Sequence, residues 1–336
     1  MREPAFWQRG GIAAQLLAPA AAIYGAVADA RMKRPGTYAD VPVLCVGNLT
    51  SGGTGKTPTA LALAKSFMAR GLKPYFLTRG YRGSLKGPVE VLQGHTARDV
   101  GDEALLLARL APTVVAADRV AGAKAAASAG ASIIIMDDGF QNSTLEKDFS
   151  LLVVDGTRGI GNGRVIPAGP LRASLGAQLV RADAMLVVGA VANPVRALIT
   201  RAKARGLAVL TGSLMPEAPT VSELRGKKVL AFAAIGHPEK FFATLNAAGA
   251  LVRGTRKFAD HHHFTQHEAT ELLDTAAIEH LTLVTTEKDI ARMRGDPALA
   301  QLAQQTVVLP VAMTFDDDAA VRREIIEKLF QKKKEA

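Results

Sequence analysis

The sequence predicts an α/β protein in which a parallel sheet is flanked by helices, followed by a second, smaller α/β domain. Short apolar segments alternate along the chain with Ala- and Leu-rich segments of helical composition. The apolar segments show little polar alternation, which is typical of parallel strands that are buried on both faces. A polar stretch over residues 216–228 interrupts the pattern, and a second set of segments follows it.

The predicted elements follow the chain in two sets. The strands of the first set are Val43–Val46, Tyr75–Thr78, Thr113–Ala117, Ile133–Met136, Leu151–Val154 and Met185–Val188. Helices between them include Pro58–Arg70, Asp102–Leu110 and Arg119–Ser128. The second set comprises Val229–Ala234, Phe241–Ala248, Leu281–Thr285, Val307–Val311 and a closing helix, Asp317–Lys328. A chain of 336 residues is long enough for about two domains. We therefore expect an N-terminal helical region (1–35), a larger domain (36–222) and a smaller domain (223–330).

The composition limits the classes of function. With 41 basic and 31 acidic residues, the formal net charge is +10, which fits an anionic partner. Aromatic residues make up only 5%, and the dense basic residues are confined to a short tail, Lys332–Lys334. Both observations argue against a nucleic-acid-binding protein. The single cysteine, Cys45, excludes disulfides within one chain and favours a reducing compartment.

The first thirty residues predict a helix that lies on a membrane surface. Apolar side chains recur there at helical spacing, and basic residues flank them on both sides. We expect Trp7 and Tyr24 near the level of the lipid headgroups. A spanning helix is disfavoured because the segment is rich in Ala and contains Pro19. The segment is also compatible with a helix that docks on the protein itself and, less well, with a signal peptide.

The clearest functional motif is a phosphate-binding loop, Thr50-Ser51-Gly52-Gly53-Thr54-Gly55-Lys56-Thr57. It lies between a predicted strand and a predicted helix, as such loops do. Glycines let several backbone N–H groups face one phosphate, and the helix N-terminus adds a positive partial charge. The motif predicts that Lys56 reaches the outer phosphates and that the Thr57 hydroxyl binds Mg²⁺. Thr50 stands where such loops usually have their first glycine.

Two carboxylates, Asp137 and Asp138, end the apolar strand that begins at Ile133. In proteins with a phosphate-binding loop, a carboxylate at such a strand end holds Mg²⁺ directly or through water. Because ligands bind at the carboxyl ends of parallel strands, we expect both motifs at one edge of the sheet. The sequence therefore predicts a site for ATP and Mg²⁺.

An ordered set of motifs makes the assignment more specific. Asp137-Asp138-Gly139-Phe140-Gln141 resembles the signature of the tetraacyldisaccharide 4'-kinases, the lipid A 4'-kinases of Gram-negative bacteria. Other segments that resemble this family are, in order, Val46-Gly47-Asn48-Leu49, Thr78-Arg79-Gly80-Tyr81, Val100-Gly101-Asp102-Glu103, Gly161-Asn162-Gly163, Pro167-Ala168-Gly169-Pro170-Leu171-Arg172, Asp260-His261-His262 and Thr286-Glu287-Lys288-Asp289. The resemblance covers residues from about Gly36 to Asp289.

The resemblance implies ATP-dependent phosphorylation of the 4'-hydroxyl of a lipid-linked glucosamine disaccharide 1-phosphate. It also implies two domains and a location on the cytoplasmic face of the inner membrane, either peripheral or anchored through the N-terminus. That location agrees with the interpretation of the first thirty residues. We expect the lipid-linked disaccharide and the anionic membrane surface as partners, and neither a nucleic acid nor a protein partner.

The acceptor hydroxyl needs a base, and the resemblance identifies Asp102 as the first candidate and His261 as the second. By composition alone, Asp102 would be interpreted as an ordinary residue of a first helical turn. Lys56 and Arg172 are expected to stabilise the charge that develops during transfer. Candidate contacts to the substrate are Arg79, Tyr81, Arg82 and Gln141. The weakest of these candidates is Arg82, whose default interpretation is a solvated arginine.

Two positions depart from the family pattern. Asn142 stands where the family usually has His, and Ala173 stands where it usually has Glu. Any metal or proton role of those family residues cannot be carried over to this chain. The histidines around His262 also suggest a transition-metal site, but consecutive side chains point in different directions, so a surface loop is the preferred interpretation.

Two other functions are compatible with a phosphate-binding loop. A switch GTPase or partner-loading ATPase would need no acceptor base, and a GTPase usually carries Asn/Thr-Lys-x-Asp to read guanine. Here Lys288 directly precedes Asp289, so that spacing is wrong. The Lys288–Asp289 pair is instead compatible with a simple exposed ion pair. A basic nucleic-acid-binding ATPase would need an aromatic stacking surface, for which the sequence gives no support.

Overall fold

The structure is a computed structural model that describes residues 3–335, with the side chains of residues 3–331. Met1, Arg2 and Ala336 lie outside it, as do the side chains of the basic tail Lys332–Lys334. The strands are β1 (Val43–Gly47), β2 (Pro74–Thr78), β3 (Val89–Glu90), β4 (Thr113–Val115), β5 (Ile133–Asp137), β6 (Phe149–Asp155), β7 (Ala184–Val188), β8 (Ala208–Pro216), β9 (Lys228–Ala233), β10 (Leu251–Lys257), β11 (Thr282–Thr285), β12 (Thr306–Val308) and β13 (Val311–Phe315).

The helices connect and cover these strands. They are α1 (Phe6–Arg9), α2 (Ile12–Leu16), α3 (Ala18–Met32), α4 (Lys56–Met68), α5 (Ala97–Val100), α6 (Asp102–Ala108), α7 (Arg119–Ser128), α8 (Leu175–Val180), α9 (Asn193–Lys203), α10 (Ala218–Leu224), α11 (Pro238–Ala247), α12 (Gln266–Ile278), α13 (Glu287–Met293), α14 (Ala300–Gln305), α15 (Asp318–Val321) and α16 (Lys328–Glu335). A 3₁₀ turn, Pro297–Leu299, precedes α14, and a π-helical segment, Arg322–Glu327, joins α15 to α16.

A nine-stranded sheet dominates the described part of the chain, with the order β13-β8-β7-β6-β1-β5-β2-β4-β3. Its strands run parallel except for β3 and β13, which pair antiparallel at the two edges. The central strands β1, β5, β6 and β7 are buried along their whole length. Continuous apolar strands therefore form a sheet with a hydrophobic cluster on each face, as the sequence predicts.

A four-stranded parallel sheet, β10-β9-β11-β12, forms the core of the smaller domain. It too has a hydrophobic cluster on each face. On one face the Phe232 and Phe264 rings meet edge to face, with centroids 5.7 Å apart. The predicted segment Phe241–Ala248 lies mostly in helix α11, which packs against β9 and β10.

The end of the chain corrects the predicted domain division. The single segment expected at Val307–Val311 is two strands, because β12 belongs to the smaller sheet whereas β13 pairs antiparallel with β8 of the larger sheet. Pro310 lies between them, and its missing N–H suits a break between strands. Residues 311–330, which the sequence assigned to the smaller domain, therefore pack with the larger one. Strand β8 itself was not among the predicted strands.

The closing helix covers α4 and the larger sheet. Ile325 and Leu329 are fully buried in the same hydrophobic cluster as Leu63 and Phe67 of α4. The rings of Phe67 and Phe330 meet edge to face, with centroids 6.4 Å apart. The sequence correctly predicts this helix, but its apolar stripe does not reveal which domain it contacts.

The N-terminal helices lie along the larger domain with one face outward. Ala14, Ala21 and Gly25 are buried, whereas Leu16 and Ile23 are 77% and 71% exposed. Pro19 lies in the first turn of α3, where the helix tolerates proline. No helix among residues 3–335 is long and apolar enough to cross a membrane.

Trp7 does not share the outward face of these helices. Its indole N–H donates a hydrogen bond to the Pro167 carbonyl over 2.9 Å, which holds the half-buried ring against the larger domain. Tyr24 is 46% exposed, on the open side of α3. The two aromatic residues that the sequence treats alike therefore have different surroundings.

Candidate active site

The candidate site lies at the carboxyl ends of the central strands of the larger sheet. Strand β1 has β5 on one side and β6 on the other, so the connections that follow these strands leave a crevice at their ends. The phosphate-binding loop, residues 50–57, follows β1, whereas Asp137 ends β5 and Asp138 follows it. The sequence therefore predicts this juxtaposition correctly.

The loop backbone explains both its glycines and its threonine. Gly52 and Gly55 have φ values of 109° and 94°, which disfavour any residue with a side chain. Thr50 instead forms a β-bridge with Leu171, and the N–H of Ser51 donates to the Pro170 carbonyl over 2.9 Å. Thr50 needs no left-handed conformation there, so its departure from the usual glycine leaves the loop intact.

Lys56 and Thr57 each meet one of the two aspartates. The Thr57 hydroxyl donates to Asp137 Oδ2 over 2.9 Å, and Lys56 Nζ lies 3.6 Å from Asp138 Oδ1. Arg172 forms a fork with Asp138, in which Nη1 donates to Oδ1 over 2.8 Å and Nη2 to Oδ2 over 3.2 Å. Burial alone would raise the pKa of Asp138, but Lys56 and Arg172 hold it well below its usual range.

The pKa of Asp137 is shifted in the opposite direction to that of Asp138. Burial and then the negative charge of Glu103 raise its pKa to about 7. Its Oδ1 is buried without a hydrogen-bond partner in the described part of the chain. An orphaned carboxylate oxygen beside a threonine hydroxyl is the kind of hard oxygen set that Mg²⁺ takes. The residues present therefore fit this ion.

Across the same cleft, Asp102 and His261 form a pair. Asp102 begins α6 in the larger domain, and His261 follows β10 in the smaller one. His261 Nδ1 lies 3.1 Å from Asp102 Oδ2, and Nε2 lies 3.9 Å from Asp260 Oδ1. His261 has a φ of 57°, a left-handed conformation that a non-glycine residue adopts only where its surroundings hold it.

The Asp102 carboxylate is almost fully buried, and both of its oxygens accept hydrogen bonds. Arg292 Nε donates to its Oδ2 over 2.7 Å, and the Glu103 backbone N–H donates to its Oδ1 over 2.9 Å. Burial alone would raise the pKa of Asp102, but the His261 hydrogen bond and the charges of Arg292 and Lys288 hold it well below its usual range. Asp102 is therefore an ionised carboxylate with little capacity to accept a proton.

Arg292 is a residue that sequence reasoning missed. Its only sequence signal is its place three residues after Asp289, one helical turn along α13. The interpretation of Lys288–Asp289 as an exposed pair is wrong. Asp289 is fully buried and accepts a hydrogen bond from Arg292, and Lys288 pairs with Glu103 over 2.6 Å. A buried Asp289 held by Arg292 cannot contact a guanine base.

The residues predicted to contact the substrate lie at different depths in the cleft. Arg79, Tyr81 and Arg82 all line the mouth of the cleft, and the Tyr81 ring meets His261 edge to face at 5.2 Å. Arg82 Nη1 donates to the His261 carbonyl over 2.8 Å, so it is not merely solvated. Gln141 lies behind Arg172, where its amide nitrogen donates to the Asn48 carbonyl over 2.8 Å.

The two departures from the family pattern have local structural roles. Asn142 Oδ1 accepts hydrogen bonds from the N–H groups of Thr144 and Leu145, which closes a turn. Ala173 is fully buried, and its carbonyl accepts a hydrogen bond from Gln178 over 2.8 Å. Among the described residues, the Asn142 side chain forms its hydrogen bonds within this turn and not with Asp137 or Asp138.

The neighbouring histidines do not converge on one point. His262 Nε2 lies 2.9 Å from Glu268 Oε2, and its ring stacks on Phe258. His267 lies on α12 beside Glu271. In the described residues, no group of three or more His, Cys, Asp or Glu side chains is arranged to hold a metal ion.

A charged cluster on the other side of the phosphate-binding loop also escaped prediction. Arg158 contacts both Glu3 and His237, and Lys240 pairs with Asp155 at the end of β6. These contacts join the N-terminal segment, the larger domain and α11 of the smaller domain. They involve residues far apart in sequence, without a local pattern that would indicate them.

The whole cleft measures about 1890 Å³ and is lined by both domains. This is more than the volume of a pocket for one small ligand, roughly 300–1,000 Å³. Ile23, Tyr24 and Val27 of α3 form part of its wall. The outward apolar face of the N-terminal helices is thus continuous with the cleft that contains the phosphate-binding loop.

Comparison with known proteins identifies the family. The family model described as Tetraacyldisaccharide-1-P 4'-kinase matches residues 13–330. A protein of Rhodopseudomonas palustris (strain BisA53) named Tetraacyldisaccharide 4'-kinase is 52% identical over 98% of this chain and 96% of its own length. A protein of the same name from Methylobacterium sp. (strain 4-46) is 54% identical over 96% of both chains.

A solved structure agrees with the fold. The crystal structure of LpxK from Aquifex aeolicus in complex with ATP has a TM-score of 0.72 and covers 95% of this chain and 100% of its own, at 23% identity. At that identity the likeness supports the architecture alone. From the family model and the near full-length relatives, we conclude that this chain belongs to the tetraacyldisaccharide-1-P 4'-kinase family.

Proposed function

We propose that the protein transfers the γ-phosphoryl group of ATP to the 4'-hydroxyl of a tetraacylated glucosamine disaccharide 1-phosphate. The observation that carries this proposal is that one cleft is lined by both the phosphate-binding loop and His261, whose ring pairs with the buried Asp102 behind it. The loop supplies a site for the donor, and the pair supplies a base for an alcohol acceptor. The description of the family to which this chain belongs names the disaccharide acceptor.

The donor side of the cleft provides positive charge. The N–H groups of the loop and the N-terminus of α4 face the phosphates, with Lys56 beside them. Arg172 lies on the Asp138 side, close enough to Lys56 for both to contact one carboxylate. Phosphoryl transfer depends mainly on the positioning of the reactants and on the stabilisation of charge. Lys56 and Arg172 therefore stabilise the transition state.

Mg²⁺ would be held by the Thr57 hydroxyl and the carboxylates of Asp137 and Asp138. When bound, the ion neutralises phosphate charge. Asp137 offers the unpartnered oxygen, whereas Lys56 and Arg172 already engage Asp138. We therefore assign the larger share of metal binding to Asp137.

We assign the role of base to His261, with Asp102 as its orienting partner. Asp102 is held ionised by its hydrogen bonds and by Arg292, so it is a poor proton acceptor. A carboxylate at Nδ1 favours the tautomer in which Nδ1 carries the hydrogen, which leaves Nε2 free to accept the proton of the hydroxyl. The sequence alone placed Asp102 first and His261 second.

The acceptor's acyl chains would lie along the apolar face of the N-terminal helices. Ile23, Tyr24 and Val27 reach from this face into the cleft wall. A membrane-surface position would let the sugars enter the cleft while the chains stay near the bilayer. The net charge of +10 fits an anionic surface at the cytoplasmic side of the inner membrane.

The function is tested by phosphoryl transfer with purified protein. We expect radiolabelled phosphate to move from ATP to the disaccharide 1-phosphate acceptor, yielding a bisphosphorylated lipid on thin-layer chromatography. The Lys56→Met variant serves as the inactive control, since it removes the cation of the loop. Absence of the labelled lipid with the wild-type protein would refute the proposed reaction.

The base assignment is tested with His261→Gln and Asp102→Asn. Both substitutions should lower kcat by about 10²–10⁴-fold, because the hydroxyl loses its proton acceptor or that acceptor loses its orientation. The KM for ATP should change little, since neither side chain contacts the loop. His267→Gln removes an exposed imidazole of α12 and should retain normal kcat. A His261→Gln enzyme with near-normal kcat contradicts the assignment.

The metal assignment predicts a pH dependence. A carboxyl group with a pKa of about 7 must lose its proton to bind a cation, so Mg²⁺ affinity should rise with pH through 7 and level off above it. The half-saturating Mg²⁺ concentration should be about tenfold higher at pH 6 than at pH 8.

The Asp137→Asn variant separates this effect from the titration of ATP itself. Its Mg²⁺ requirement should be higher at every pH and should depend less on pH than that of the wild-type protein. Parallel pH curves for the two proteins would exclude Asp137 as the titrating ligand.

The membrane assignment is tested by substituting exposed side chains only. Leu16→Ser combined with Ile23→Ser should weaken binding to vesicles of phosphatidylethanolamine and phosphatidylglycerol on the order of tenfold or more, because apolar surface leaves the interface. Ile278→Ser is the matched control, since Ile278 is 79% exposed on α12. Equal flotation of the double variant and the wild type with vesicles would contradict membrane binding by this face.

A further inference from the structure

Arg292 holds the catalytic pair from the side away from the cleft. It lies in the last turn of α13, and its side chain is 2% exposed where it meets Asp102, which is 4% exposed. Nε donates to Asp102 Oδ2 over 2.7 Å. Nη2 lies 2.6 Å from the same oxygen, without being aligned to donate a hydrogen bond to it. This ion pair is buried between the two domains.

The other arm of the guanidinium reaches the support of His261. Nη1 donates to Asp289 Oδ1 over 2.7 Å and to the Ala234 carbonyl over 2.8 Å. The same Ala234 carbonyl accepts a hydrogen bond from the backbone N–H of His261 over 3.0 Å. One side chain therefore contacts Asp102 directly and shares an acceptor with His261.

This arrangement fixes the direction of the Asp102 carboxylate. Its Oδ1 accepts a hydrogen bond from the Glu103 N–H, and its Oδ2 is held by Arg292 and His261. A guanidinium is planar and its donors have fixed directions, so Arg292 restrains both the position and the plane of its partners. Asp289 supplies the counter-charge that holds Arg292 in place, and its Oδ1 also accepts the Ala234 N–H.

We propose that Arg292 is a positioning residue that aligns Asp102 and His261 for proton transfer. It acts across the domain boundary, because Asp102 belongs to the larger domain and Arg292, Ala234 and His261 to the smaller one. This inference rests on the proposed function, in which His261 accepts the hydroxyl proton. Arg292 does not itself line the cleft, so its effect passes through the pair.

The first test compares Arg292→Met and Arg292→Lys in steady-state kinetics. Arg292→Met should lower kcat on the order of 10²-fold, the effect expected from a small misplacement of reacting groups. Arg292→Lys should recover part of this loss, since one ammonium can hold Asp102 but cannot also hold the Ala234 carbonyl in the same geometry. The KM for ATP should stay within about twofold, because the phosphate-binding loop is untouched.

The matched control is Arg98→Met. Arg98 also pairs with a carboxylate across the two domains, Asp296 at 3.4 Å, but the Arg98 side chain is 72% exposed and neither residue lines the cleft. Its kcat should equal that of the wild type. If both Arg292 variants keep wild-type kcat, the positioning role is overturned.

A double-mutant cycle separates positioning from general support of the fold. If Arg292 acts through Asp102, the Asp102→Asn/Arg292→Met protein should be no slower than the Asp102→Asn protein alone. Multiplicative losses in kcat would mean that Arg292 acts independently, which would overturn the inference. Melting temperatures show whether each variant is folded, and Arg292→Lys replaces Arg292→Met in the cycle if the latter does not fold.

A spectroscopic readout keeps the inference separate from the proposed reaction. In ¹⁵N-histidine spectra, neutral His261 of the wild type should carry its hydrogen on Nδ1, and Arg292→Lys should show mixed tautomers because the acceptor is no longer fixed. Arg98→Met should match the wild type. An unchanged His261 tautomer in Arg292→Lys would overturn the inference, even for a protein that fails to phosphorylate the disaccharide.

Discussion

The register of β1 against β5 is the constraint on which the site depends. Val46 lies opposite Asp137 in the parallel pair, so the strand that leads into the phosphate-binding loop ends level with the acidic strand. This register brings the Thr57 hydroxyl within 2.9 Å of a carboxylate 80 residues away in sequence. A shift of one residue would turn every side chain of the strand to the other face and separate the two motifs. Burial of the apolar faces of the sheet fixes this register. The same burial therefore also aligns the polar groups at the edge of the sheet.

Ion pairs connect the two domains, and the pair between Asp102 and Arg292 is buried. Asp102 pairs with Arg292, and Glu103 with Lys288, so consecutive residues of α6 each contact α13. Removing one partner from a buried pair costs roughly 3–5 kcal/mol, whereas the intact pair adds little net stability. Such contacts therefore specify one arrangement of the two domains, although they add little to the stability of the fold. In this molecule that placement also brings together an aspartate and a histidine from different domains.

Local patterns predicted the parts of the fold and site that are encoded locally. The central strands, the phosphate-binding loop, Asp137 and the helix that begins at Asp102 all follow from short stretches of sequence. Arg292 was missed because its importance arises from a contact across 190 residues. The return of residues 311–330 to the larger sheet was missed for the same reason, since an amphipathic helix does not specify its partner. The roles of Asp102 and His261 could be assigned only from the structure, which shows the hydrogen-bond donors around each side chain.

The return of the chain also constrains the order in which the protein can fold. Strand β13 pairs with β8 although they lie about a hundred residues apart, and the smaller domain occupies the chain between them. During synthesis, β8 therefore presents an unpaired edge, and α4 an uncovered apolar face, until residues 311–330 have left the ribosome. The larger domain can acquire its final edge only after the smaller domain has been made. Nascent chains should thus pass through a stage at which this edge is the part most in need of protection from aggregation.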